Sequence, residues 1–81
     1  MGTLAVELHP SAHNISFTED SLNVDLLDGR TISVPITWFP ALSKATKSQR
    51  NNWELLGDGE GIHWPEIDED LSVSGLLAGA R

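Results

Sequence analysis

The sequence contains no cysteine and no tyrosine. Without cysteine, neither a disulfide nor a thiolate-bound metal can staple the fold. Catalysis by a thiolate nucleophile is excluded for the same reason. The absence fits a reducing compartment. Basic residues are also few: 5 Lys and Arg stand against 12 Asp and Glu, giving a formal net charge of −7 and a pI of about 4.6. A field of that sign repels phosphate backbones and argues against direct nucleic-acid binding. No apolar run approaches the roughly 20 residues that a membrane span needs, so no membrane association is expected. The opening residues from Met1 to Glu7 carry neither a basic segment nor a long apolar one. They read as something other than a signal peptide, and a cytoplasmic protein is expected.

What is present suffices for a core. Hydrophobic residues make up 40% of the 81, enough for packing and too many for disorder. The length predicts a single domain across 1–81. A domain of this size buries only about 60% of its unfolded surface, so large aromatic side chains count heavily.

Periodicity organises the first half as strands. Residues 4–9 read as a strand that ends at Pro10-Ser11. Residues 13–18 alternate polar and apolar. Leu22, Val24 and Leu26 fall on one face of the next run, and Ile32, Val34 and Ile36 on one face of the run after it. Asp28-Gly29 between those two runs signals a hairpin. Pro35 cannot donate to a ladder, which places it at a strand end or a sheet edge. Together these segments predict an antiparallel β-meander of three to four strands.

The second half changes character. Helix can start only around Pro40, after Trp38-Phe39. One helix or two short ones are expected across roughly 41–53. Thr46 with Gln49 three residues on forms a capping-box pattern. Leu55-Leu56 and Ile62-His63-Trp64 flank a glycine loop and predict a short hairpin. Residues 71–79 predict a C-terminal helical turn, with Ser72 as cap, Leu71 and Leu76 as a staple, and Gly79 as the stop. The fold class is therefore α+β. Trp38 and Trp64 are both expected to be largely buried.

Charge is distributed unevenly. No acid lies between Gly29 and Trp53, where Arg30, Lys44, Lys47 and Arg50 are found. No base lies between Glu54 and Asp70, where seven acids are found. A solvated surface with internal pairing accounts for this in the plainest way. A sharper account is a dipolar molecule that meets a basic partner through its C-terminal third. Glu66, Asp68, Glu69 and Asp70 then become the candidate partner-binding residues. Within five residues at least two of them must reach solvent. Asp68, Glu69 and Asp70 also precede the predicted last helix, whose N-terminal dipole would favour them.

Other chemistry finds less support. There is no G-x-S-x-G, and His9, His13 and His63 lie on or beside predicted strands, where histidine is usually structural. No catalytic residue and no enzymatic activity are expected. No cofactor or metal is expected either. The metal-binding alternative rests on His63, Glu66, Asp68 and Asp70, which crowd into eight residues. Imidazole and carboxylates can hold a divalent cation, but the spacing matches no standard motif and one His is thin for zinc. Gly57, Gly59 and Gly61 do not make a phosphate cradle, because the loop carries Asp58 and Glu60 and leads into a strand. A third alternative is a nucleic-acid-linked regulator acting through Arg30, Lys44, Lys47 and Arg50, with Trp38 and Phe39 among them.

Three stretches carry a resemblance. The first is Asp28-Gly29-Arg30-Thr31-Ile32-Ser33-Val34-Pro35. The second is Trp38-Phe39-Pro40-Ala41-Leu42, with Ala45-Thr46 and Arg50-Asn51-Asn52-Trp53. The third runs from Gly61-Ile62-His63-Trp64-Pro65-Glu66 through Ile67-Asp68-Glu69-Asp70-Leu71-Ser72-Val73 to Gly75-Leu76-Leu77. In this order they resemble the small bacterial family known as domain of unknown function 2442. The similarity runs from Asn14 to Gly79. Relatives often carry Arg where this chain has Ala41. The resemblance implies a compact α+β domain with an antiparallel sheet. It also implies a gene set beside another small protein, in an arrangement like a toxin–antitoxin pair. It implies no catalytic residues. The expectation is a protein–protein interaction module, in the form of an antitoxin-like member of a two-gene pair. Its partner is another protein, and a homo-oligomer stays open.

Overall fold

A computed structural model describes residues 10–79. The predicted strand over 4–9 lies outside them. Strands β1 (Ala12–Phe17), β2 (Ser21–Leu26) and β3 (Thr31–Pro35) form an antiparallel meander in the order β1-β2-β3. A 3-10 turn (Ile36–Trp38) leads to two short helices, α1 (Pro40–Lys44) and α2 (Lys47–Asn51). Strands β4 (Glu54–Leu56), β5 (Gly61–Trp64) and β6 (Glu69–Ser72) form a second antiparallel sheet in the order β4-β5-β6. Helix α3 (Val73–Leu77) follows directly. The architecture is α+β, as the periodicity predicts, but the strands divide between two sheets. The meander is the first sheet. The predicted hairpin is the first two strands of the second.

The first sheet follows its sequence closely. Residues 27–29 close the hairpin, with Leu26 N donating to Arg30 O at 2.8 Å and Gly29 at φ 97°. That bond makes Leu26 and Arg30 a hydrogen-bonded pair, and antiparallel pairs alternate. Counting along the register, Pro35 opposite Ser21 falls at a position that gives β2 no bond. Its missing N–H therefore faces the open edge of β3 and costs the ladder nothing. Leu22, Val24, Leu26, Val34 and Ile36 are buried. Ile32, expected with them, is only half-buried and packs on the flank of the core. It sits on an outer strand with a neighbour on one side alone. In β1 the pairing slips between Ala12 and Asn14, a bulge that spaces the buried Ala12 and Ile15 three apart.

The helical region is two helices. Thr46 and Gln49 form the predicted capping box, bonding in both directions at 2.9 and 3.1 Å. Arg50 closes the neighbouring helix by donating to Leu42 O at 2.9 Å and Ser43 O at 3.1 Å, two carbonyls at the end of α1.

One core joins the two sheets. Ile62 and Trp64 of β5 and Val73 and Leu76 of α3 pack with the inward residues of β1, β2 and β3, and with Phe39 and Leu42. Trp64 is fully buried, as expected. Its indole N–H donates to Arg50 O at 2.9 Å, and its ring meets Phe17 edge-on at 6.3 Å between centroids. Trp38 is half-buried, contrary to expectation, because it rides on the 3-10 turn at the margin of the core. The sheets also touch through backbone: Ala12 N donates to Gly59 O at 2.7 Å.

Candidate interaction surface

The acidic segment takes a form the sequence does not announce. Asp68, Glu69 and Asp70 were expected to serve the start of the last helix. Instead Asp68 occupies a turn with φ 54°, and Glu69 and Asp70 begin β6. Ser72 alone caps α3, accepting from Gly75 N at 2.9 Å, and the first turn of that helix holds no acid. The positive φ of Asp68 suits an aspartate better than most residues, since its short polar side chain tolerates the left-handed region.

The pleat then separates neighbours. Side chains alternate along a strand, so Glu69 and Asp70 point to opposite faces. Glu69 pairs with the buried Trp64, on the core side. Asp70 pairs with His63, on the outward side, and Glu54 of β4 flanks His63 from the other side. The bond from Val73 N to Glu60 O, 2.9 Å, fixes which pairs in this ladder are hydrogen-bonded. Counting from it, His63 and Asp70 form a non-hydrogen-bonded pair, in which side chains come closest. The His63 Nδ1 and the Asp70 carboxylate are in direct contact. That hydrogen bond raises the His63 pKa above its ordinary 6.5, and the charges of Asp70, Glu54 and Asp68 act in the same direction against partial desolvation.

Glu66 lies in the turn after Trp64, exposed, and its carboxylate accepts from Asn52 Nδ2 at 2.8 Å. Glu66, Asp68 and Asp70 are exposed and Glu69 is half-buried. Of the residues weighed for a metal, His63 and Asp70 meet, while Glu66 turns to Asn52. Among the described residues no three His, Asp or Glu side chains converge to hold a cation. Of the four bases, Arg30 bonds Asp28 at 2.8 Å, and Arg50 is bound to α1 and lies 5.8 Å from the Phe17 ring centroid. Lys44 and Lys47 are exposed.

Two features escape a linear reading. One is Glu54, which becomes part of the outward acidic face only through the register of β4 on β5. The hairpin pattern around the glycine loop is the signal that places it there. The other is a groove of about 360 Å³ between the start of α1 and strand β6, lined by Trp38, Pro40, Glu69, Leu71, Gly75 and Leu76 among others.

The family described as "Protein of unknown function (DUF2442)" matches residues 12–81. The chain belongs to this family. It is similar to a protein of unknown function from Rhodospirillum rubrum, known from a crystal structure, with 36% identity, a TM-score of 0.76 and 88% of both chains covered. It is also similar to the solution structure of an uncharacterised protein from Chromobacterium violaceum, with 25% identity and a TM-score of 0.75. That alignment covers 88% of this chain and 67% of the other. No curated protein matches. Among the described residues of this DUF2442 chain, no helix is long and apolar enough to cross a membrane.

Proposed function

We propose that this DUF2442 domain is a protein–protein interaction module rather than an enzyme, and that it meets a basic partner through its second sheet. The carrying observation is the placement of acids around that sheet. Glu54 and Asp70 flank His63 on the outward face, Glu66 and Asp68 occupy the exposed turn beside it, and Glu69 reaches into the adjoining groove. Charges displayed on a solvated face steer encounter and select partners. Given the gene arrangement that the family resemblance implies, the module would be the antitoxin-like member of a two-gene pair, acting by occluding its partner. Lys44 and Lys47 are too few to favour a nucleic-acid reading against a net charge of −7.

Affinity purification from the native host tests the proposal, comparing the parent with a Glu66→Gln, Glu69→Gln variant. The expected result is a basic protein retained by the parent at low salt and lost both from the variant and at high salt. A partner retained equally by both, at any salt, would contradict the acidic-surface reading.

A further inference from the structure

We infer that the open edge of β6 is a docking site for an extended, basic segment of the partner, which adds to the second sheet as a fourth strand. This rests on the interaction-module reading and specifies its partner chemistry. The first observation is an exposed backbone edge. β6 is an outer strand, and the Val73–Glu60 bond fixes its alternation. Glu69 and Leu71 direct their peptide groups to β5, so the N–H and C=O of Asp70 and the N–H of Ser72 point away from it. Among the described residues no strand pairs with that edge.

The second observation is how the other outer strands differ. Natural sheets guard their edges with prolines, bulges, short strands and charges. Here β1 carries a bulge, β3 carries Pro35 and β4 has only 3 residues. β6 has 4 residues, no proline and an unbroken register. Its protection is negative charge, from Glu69 and Asp70, with Asp68 just before them. Negative charge deters most strands but attracts a basic one, which makes the same residues a selectivity filter.

The third observation is two-sidedness. A strand laid along β6 would present alternate side chains to two different surfaces. One set would enter the groove of about 360 Å³ formed with Trp38, Pro40, Leu71 and Leu76. The other would lie beside Asp70 on the outward face. The occupant that fits is a segment alternating apolar and Lys or Arg residues. Main-chain bonds supply affinity in this mode, and the alternating pockets supply specificity.

The test uses a blocked eight-residue peptide of alternating Lys and Val, titrated into the 15N-labelled protein. The expected result is slowed amide exchange at Asp70 and Ser72. Affinity should fall at least tenfold when the four central peptide amides are N-methylated, which keeps every charge and blocks both strand edges. Replacing Lys by Glu should abolish binding. Equal affinity of the N-methylated peptide, with Asp70 and Ser72 unprotected, would overturn the edge inference while leaving charge-driven binding intact. No binding of the Lys-Val peptide at millimolar concentration would overturn it as well. The host purification described above tests the module reading independently of either outcome.

Discussion

Replacing Gly59 with alanine places a methyl group where the two sheets meet. Gly59 has φ 92°, a conformation that side chains rarely adopt. Its carbonyl accepts from Ala12 N at 2.7 Å. A Cβ built there lies 3.0 Å from Ala12 N and 3.3 Å from Ala12 C, and nearer still to the Ala12 carbonyl oxygen. The obstacle is backbone, so no rotamer change relieves it. Ala12 is 2% exposed, so its N–H finds little water if the bond breaks. The unfavourable backbone conformation costs about 1–3 kcal/mol. An orphaned buried donor adds about 1–3 kcal/mol. The sum, about 2–6 kcal/mol, is comparable with the whole stability of a small domain, about 5 kcal/mol. Gly29 supplies the control. Its φ is 97°, but nothing lies within 4 Å of a Cβ built there, so Gly29→Ala should lose only the conformational part. Urea unfolding followed by tryptophan fluorescence measures both. The expected order is Gly59→Ala well below Gly29→Ala, with Gly29→Ala below the parent. Equal losses in the two variants would refute the collision and show that the segment around Ala12 yields without cost.

Trp64→Ala should leave the domain largely unfolded, since truncating a buried Trp costs roughly 3–5 kcal/mol and also strands the Arg50 carbonyl. A melting temperature within a few degrees of the parent would contradict its place in the core. His63 contributes a pH dependence of known sign. Its folded pKa is raised above 6.5, so its contribution is fully present below that value and is lost as pH rises through the folded pKa. Urea midpoints between pH 5.5 and 8.5 should therefore fall with pH in that window, and His63→Gln should flatten the fall. Ser72→Ala should cost about 1 kcal/mol through loss of the α3 cap. A loss near zero in thermal melts would show that the cap bond is not needed.

Local chemistry made much of the fold legible. Asp28-Gly29 marks its hairpin because the turn needs a left-handed residue, and Thr46 with Gln49 marks a helix start because each side chain completes the other's backbone. Leu22, Val24 and Leu26 declare a buried face by period alone. Ile32 and Trp38 share that chemistry yet lie at margins, and marginal position depends on neighbours that no local window contains. β6 was hidden for a related reason. Glu69-Asp70-Leu71-Ser72 has low strand propensity, and only pairing with β5 makes it a strand. The acids were visible as a cluster, but not their arrangement. Read as a run before a helix, Glu69 and Asp70 look equivalent. As a strand they serve opposite faces, and Glu54 joins Asp70 across His63.

If the acids around the second sheet steer a basic partner, the association rate registers it most directly. The co-purified partner should be mixed with the parent and with the Glu66→Gln, Glu69→Gln variant across ionic strengths. Glu66 is exposed and Glu69 half-buried, and Gln keeps the size of each side chain, so both proteins should show closely similar unfolding midpoints. The parent rate should fall as salt rises, and the variant rate should be slower at low salt and less sensitive to salt. Equal rates with equal salt dependence would contradict it and leave these acids as ordinary solvated surface.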